Sequence, residues 1–156
     1  MNTNRKAWLT MIAVSEGTQN IGNQSGYNVI VGSTAKQPHL FDNYEDHPRV
    51  LVALPKLGIK STAAGRYQIL ARYYDAYKKQ LRLPDFSPAS QDAIALQLIR
   101  ECNALDDIDQ GRFARAVFKC RSRWASLPGA GYSQPEKSID SLLAAYQKAG
   151  GKLTTA

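Results

Sequence analysis

Glu16 follows the apolar run at residues 9–14 and the hydroxyl of Ser15, and it precedes the turn-forming pair Gly17-Thr18. A carboxyl group placed where an apolar helix meets a loop is partly desolvated, which raises its pKa and suits it to carry a proton near neutral pH as a general acid. The same residues also fit an ordinary glutamate at the solvated end of a helix. Enzymes that cleave glycosidic bonds usually pair two carboxylates across the scissile bond, one as acid and one as base or nucleophile. Here no Asp or Glu follows Glu16 until Asp42. Asp42, Glu45 or Asp46 could fold back beside Glu16, so the gap weakens a two-carboxylate mechanism without excluding it, and chemistry with one carboxylate stays open.

The elements that must position Glu16 are legible in outline. Residues 6–15 have helical periodicity and predict a core helix that presents Glu16 at its end. Residues 17–26 are polar and contain glycine, and Tyr27-Asn28-Val29-Ile30-Val31 then reads as a β-branched strand ended by Gly32. A second strand is expected at Leu40-Phe41, giving a small antiparallel sheet, and residues 50–60, with Pro55 and Gly58, read as an irregular loop beside a cleft. After Ser61-Thr62, either of which could cap it, a helix is expected through Tyr67 and Gln68 to Leu83, stopped by Pro84. Ser87-Pro88 opens another helix with Ile94, Leu98, Ile99 and Cys102 at core spacing, and a further helix covers about residues 112–122. The loop at residues 127–132 breaks the pattern. Ser133 and Glu136 then form a capping-box signature for a last helix that ends before Gly150-Gly151. The expected class is α+β: mostly helical, with a small antiparallel sheet beside the cleft.

With 156 residues the chain is expected to form one domain over residues 1–156. Hydrophobic residues at 44% and charged residues at 21%, without low-complexity tracts, describe an ordered globular chain. The net charge of +7 favours polyanionic partners: nucleic acid, anionic membrane or bacterial wall. Arg112, Arg115, Lys119, Arg121 and Arg123 lie in one stretch with no acid among them; several would share a helix face, as a binding patch or as a solvated surface. Zinc-ligand spacing, aromatic RNA-binding motifs and glycine-rich phosphate loops are lacking, so no nucleic-acid partner is expected. Cys102 and Cys120 read as two small hydrophobes rather than a disulfide, in keeping with a reducing cytoplasm. Residues 4–14 loosely imitate a signal peptide, but the apolar part is barely long enough and contains Thr10, and a cut there would fall beside Glu16 or remove it. No segment reaches membrane-spanning length.

Six blocks in order carry a resemblance over nearly the whole chain: Ser15-Glu16-Gly17-Thr18, Gly26-Tyr27 with Val29-Ile30-Val31-Gly32, Asp46-His47-Pro48-Arg49, Ala64-Gly65-Arg66-Tyr67-Gln68, Phe86-Ser87-Pro88, and residues 124–132. The chain resembles the bacteriophage lambda-type endolysins, a family of lysozyme-fold lytic transglycosylases. The resemblance implies a lysozyme-like fold and makes Glu16 the catalytic acid. It implies cleavage of the β-1,4 bond between N-acetylmuramic acid and N-acetylglucosamine in peptidoglycan, with the muramoyl C6 hydroxyl as the attacking group and a 1,6-anhydro ring as product. A tethered attacker has a large effective molarity, so a second carboxylate is not needed. The resemblance further implies that Gln68 and Tyr132, and with less weight Tyr67 and Tyr27, line the substrate cleft, with residues 51–60 and 128–134 as two mobile lips.

Two departures limit the transfer. Asn28 stands where the lambda-type relative has aspartate, and Ala63 stands where it has glycine ahead of the Gly-Arg-Tyr-Gln block. His39 and His47 are too few and too poorly spaced for a metal, and no cofactor is expected. The partners implied are peptidoglycan glycan strands and, for release, a separate holin, with the protein accumulating in the host cytoplasm as a monomer and acting on the wall once the membrane is permeabilised. A hydrolytic muramidase using Asp42, Asp46 or another carboxylate and water is the second class. A basic binding module without catalysis is the third.

Overall fold

The helix that ends at Glu16, α1 (Thr3–Glu16), is apolar on nearly every side, and Ala7, Trp8, Leu9, Met11, Ile12 and Ala13 are all buried. A helix of this kind must be surrounded by core instead of resting on it. A computed structural model of the chain describes residues 1–131 and 136–154. The chain divides into two compact units, one comprising Met1–Ser15 and the chain from Leu96 onward, the other Glu16–Ala95. Among the described residues there are six helices and one two-stranded antiparallel sheet.

In the first unit, α1 packs the Trp8 ring edge-on against Trp124, with centroids 6.2 Å apart. Near its C-terminus the buried Ser15 shares a 2.7 Å hydroxyl–hydroxyl hydrogen bond with Ser126. Asn2 Oδ1 accepts from Arg5 N at 2.8 Å to cap the other end, and Arg5 pairs with Asp109 at 2.7 Å. The unit also holds the second part of α3 (Pro88–Glu101), then α4 (Leu105–Asp109), α5 (Phe113–Cys120) and α6 (Ile139–Lys148). Phe113 of α5 meets Tyr146 of α6 with ring centroids 4.9 Å apart. The short α4 has no counterpart in the sequence reading, because five residues are too few to display a helical period.

The basic stretch does not form an unpaired face. The Asp107 side chain, 3% exposed, accepts from Arg112 Nε at 2.7 Å and Lys119 Nζ at 2.6 Å, with Arg115 Nε at 3.8 Å. Arg123 pairs with Glu101 at 3.0 Å. The acids lie just outside the run, beyond the reach of a count confined to it. The last helix also differs from expectation. Ser133 lies outside the described residues, and Glu136 accepts the Gly129 and Gly131 amides at 3.0 and 3.1 Å in place of capping a helix. α6 is capped by Ser138, whose hydroxyl accepts from Ser141 N at 3.2 Å.

In the second unit, the sheet sits where a loop was expected. β1 (Val52–Leu54) and β2 (Ile59–Ser61) pair antiparallel in the register Val52↔Ser61, Ala53↔Lys60, Leu54↔Ile59, joined by a 3-10 turn at Pro55–Leu57 and by Gly58 at φ +65°. The Pro and Gly that suggested irregularity are the hairpin's turn, and three-residue strands show no alternation to read. The expected strand at residues 27–31 is instead a set of isolated bridges, Val29↔Leu40 and Ile30↔Ala64, with glycines at φ +84° on either side, Gly26 and Gly32. Its pairing is split between two partners, so no continuous ladder forms. α2 (Ala71–Leu81) begins well after Tyr67, because Gly65 at φ +84° and Gln68 at φ +53° both adopt the left-handed conformation, which interrupts a helix. Thr62 nonetheless caps it from a distance: its hydroxyl accepts from Ala71 N at 3.0 Å.

Burial alone would raise the Asp107 carboxyl, but the Lys119 ammonium and the Arg112 guanidinium outweigh it and hold the group below the ordinary carboxylate value. A folded-state pKa below the unfolded value, about 3.9, gives stability that is present above that pH and lost as pH falls through the folded value. Asp107→Ala is expected to cost about 2–3 kcal/mol at pH 7, discounted for the partial exposure of the cations. Asp107→Asn should flatten the loss of stability in urea titrations between about pH 5 and 2; an unchanged slope would remove Asp107 as the acid-labile centre.

Candidate active site

Glu16 is the last residue of α1 and is half-buried. Gly17 follows at φ +79° and ends the helix in the left-handed conformation common after helix C-termini. The chain is fastened on both sides of Glu16. Before it, Ser15 is tied to Ser126. After it, Thr18 is buried and donates from Oγ1 to the Arg66 carbonyl at 2.6 Å.

The loop at residues 17–26 is fitted to itself and to Arg66. A Cβ on Gly26 would stand 2.7 Å from the Thr18 carbonyl oxygen, so only glycine allows this closure. The buried Arg66 guanidinium donates to the Ser25 carbonyl at 2.6 Å and to the Gln19 side chain. It also lies over the rings of Tyr27 and Tyr67, 5.3 and 5.8 Å from their centroids. The Ser-Glu-Gly-Thr and Gly-Arg-Tyr-Gln blocks, about 50 positions apart in sequence, are thus joined by the hydrogen bond from Thr18 to Arg66.

Beneath Arg66 two residues of α3 do work the sequence did not announce. Gln91, fully buried, accepts from Arg66 N at 3.0 Å and donates to the carbonyls of Tyr27 and Phe86 at 3.0 and 2.9 Å. A Cβ on Gly65 would be 2.4 Å from Gln91 Oε1, so glycine makes room for that amide. The Asp92 carboxylate accepts both tyrosine hydroxyls, from Tyr67 at 2.6 Å and Tyr27 at 2.8 Å. Burial, then the Asp92 charge, pushes the Tyr67 hydroxyl far above its ordinary pKa; Tyr27 rises chiefly through burial. Both remain protonated donors. In sequence Gln91 and Asp92 are polar residues near the start of the helix opened by Ser87-Pro88, and nothing local marks them as buried partners.

The proposed binding residues therefore occupy different settings. Tyr67 is 1% exposed and belongs to the support beneath the site, whereas Tyr27 is half-buried above it. Gln68 is half-buried and donates from Nε2 to the Gly65 carbonyl at 2.9 Å, while its Oε1 takes no hydrogen bond among the described residues. Tyr132 lies outside the described residues. Among acids of this unit, Asp46 and Asp75 pair with Arg49 at 2.8 and 2.6 Å, and both are held below the ordinary carboxylate range by it. Asp85 accepts from the Ser87 amide and the Ser90 hydroxyl. Asp42 lines a cavity of about 450 Å³ with Asp46, Phe41 and His47. His47 is buried between the Ile69 carbonyl, 2.8 Å from Nε2, and the Arg49 amide, which donates to Nδ1 at 2.9 Å; burial lowers its pKa.

The backbone matches bacteriophage lambda lysozyme complexed with a chitohexasaccharide at a TM-score of 0.91, with 53% identity over 98% of this chain and 97% of that one. A second lysozyme structure from bacteriophage lambda matches at 0.87 with the same identity and coverage. The fold is lysozyme-like α+β, as the arrangement of helices and hairpin implied. The endolysin family model matches residues 6–153, and the chain belongs to the endolysin family. The endolysin of Escherichia phage lambda is 56% identical over 156 residues, covering 97% of this chain and 94% of the relative. The endolysin of Escherichia phage P2 is 51% identical over 154 residues, covering 95% and 93%.

Asp92→Ala leaves two tyrosine hydroxyls without their acceptor, one of them in the core, and is expected to cost about 2–3 kcal/mol in equilibrium unfolding. Tyr67→Phe removes one donor and should cost about 1 kcal/mol. If the two substitutions had equal effects, the shared carboxylate would not be the organising group.

Proposed function

We propose that the chain is a phage endolysin that cleaves the β-1,4 bond between N-acetylmuramic acid and N-acetylglucosamine in peptidoglycan as a lytic transglycosylase, with Glu16 as its catalytic acid and base. The observation that carries this reading is the placing of the acids. Glu16 stands at the end of a buried helix whose flanking residues are pinned, while Asp46, Asp75, Asp85 and Asp92 are engaged with Arg49, the start of α3 and the two tyrosines. A carboxylate held by a guanidinium is a weak base for activating water. The likeness to a lysozyme bound to a chitohexasaccharide supports a linear amino-sugar chain as ligand.

In this mechanism the Glu16 carboxyl gives its proton to the glycosidic oxygen as the C1–O bond breaks. The carboxylate then takes the proton of the muramoyl C6 hydroxyl, whose oxygen bonds to C1. No water is consumed, and Glu16 ends as it began. Proximity supplies much of the rate, because the attacking hydroxyl belongs to the same sugar. Tyr27, Gln68 through its Oε1, and Tyr132 bind the glycan. Tyr67 acts at one remove, through the Asp92 carboxylate it shares with Tyr27. The whole chain works as one monomeric catalytic domain, and its net charge of +7 draws it to the anionic wall. It accumulates in the host cytoplasm and reaches the wall when a separate holin opens the membrane; among the described residues no helix is long and apolar enough to cross one.

Glu16→Gln should lower wall cleavage by about 10²- to 10⁴-fold while leaving the unfolding midpoint near that of the parent chain. Mass spectrometry of released muropeptides reads the mechanism. Anhydromuramoyl ends, one water lighter than hydrolysis products and resistant to borohydride, are expected. Reducing muramic acid ends would instead establish a hydrolytic muramidase, with Asp42 or Glu45 as the acids to test for activation of water. Undiminished activity in Glu16→Gln would sink both readings.

A further inference from the structure

Glu136 has no task in the helix that follows it. α6 starts at Ile139 under the Ser138 cap, and its Leu142 is buried, so Glu136 stands just ahead of an element seated in the core. Its carboxylate turns back across the residues before it. Oε1 accepts from Gly129 N at 3.0 Å, and Oε2 accepts from Gly131 N at 3.1 Å. One backbone hydrogen bond closes the neck of the same loop, from Lys137 N to the Ser126 carbonyl at 2.8 Å. Ser126 is also the hydroxyl partner of Ser15, the residue before Glu16.

On the near side of the loop packing does the holding, since Trp124, Ser126 and Leu127 are all buried. Past Leu127 it stops. Gly129 and Gly131 are exposed and take the left-handed conformation, at φ +80° and +76°. A Cβ on Gly131 would meet nothing within 4 Å, so no neighbour presses on that position. Ala130 N donates to the Leu127 carbonyl at 3.2 Å and fixes one turn, while the amides on either side of it go to Glu136. Glycines lose more freedom on being ordered than other residues, so a conformation of this kind persists only if something holds it.

We propose that Glu136 is a positioning residue for the glycan substrate: its carboxylate clasps the loop at residues 127–131 to the start of α6, so that the loop is ordered before the sugar chain arrives. The inference rests on the reading that residues 128–134 lie over a glycan cleaved with Glu16 as acid. Amide donors paired with an ionised carboxylate bind more strongly than neutral pairs. The Gly131 and then the Gly129 amide hold the Glu136 carboxyl below its ordinary value, so both oxygens are acceptors at neutral pH. A loop ordered in advance spares the complex the cost of ordering it, and that difference appears in affinity and not in the chemical step. A glutamate that only capped a helix or faced water would leave substrate affinity unchanged.

The test compares the full-length parent chain with Glu136→Ala and Glu136→Gln on soluble, uncross-linked peptidoglycan strands. Glu136→Ala is expected to raise KM about 3- to 10-fold with kcat within about 2-fold. Hydrogen exchange of the Gly129 and Gly131 amides, followed by NMR without substrate, should quicken roughly 5-fold or more, while amides of α1 and α3 keep their rates. The melting temperature should stay near that of the parent, because Glu136 is exposed. Glu136→Gln keeps one acceptor oxygen and should fall between the parent and Glu136→Ala in both KM and exchange. Unchanged exchange at the two glycines, an unchanged KM, a loss confined to kcat, or a Glu136→Gln no better than Glu136→Ala would overturn the proposal. Failure of the Glu16 reading is seen separately, as undiminished cleavage by Glu16→Gln, which the clasp does not influence.

Discussion

A guanidinium taken out of water must have its hydrogen bonds met where it lies, because the penalty for leaving a buried charge unsolvated is several kcal/mol. Arg66 meets part of that demand with the Ser25 carbonyl and the Gln19 side chain, and it lies over the faces of two tyrosines. The constraint works in both directions. The loop after Glu16 holds the arginine, and the arginine holds the loop, so residues 18–25 cannot drift without stranding a charge. Gly26, Gly65, Gln91 and Asp92 are then accounted for together, as what is needed to admit the guanidinium and to fix the rings it rests on.

The first unit uses charge differently. Asp107 is the buried member, and the cations gathered on it come from positions five to twelve residues further along. A stretch that looks in sequence like a positive surface is in part the return half of an ion cluster.

The elements that sequence described well are those in which one periodicity or one cap decides the structure: α1 with its apolar girth, and α3 with its Ser87-Pro88 opening. Where two constraints compete, the reading failed. Tyr67 and Gln68 look helical from composition, but Gly65 must make room for Gln91, and the turn this imposes delays α2 to Ala71. Val29 and Ile30 look like strand residues, and each does find a β-partner, yet on different segments. The candidate site was legible as motif blocks through resemblance, Glu16 above all. Its supports were not, because a buried polar residue such as Gln91 or Asp92 has the same local signature as one that faces water.

The seating of α1 also orders events in time. Trp8 and Ser15 lean on Trp124 and Ser126, and Ser15 is separated from its partner by 111 positions. A ribosome extends the chain N-terminus first, at roughly 5–20 residues per second. The helix that carries Glu16 is therefore among the first segments to emerge and among the last to find its berth. Its apolar girth must wait, exposed or chaperoned, until the distant end of the chain arrives to enclose it. For this topology maturation is set by the completion of synthesis, and a nascent chain shorter than about Ser126 carries Glu16 without the support that aims it.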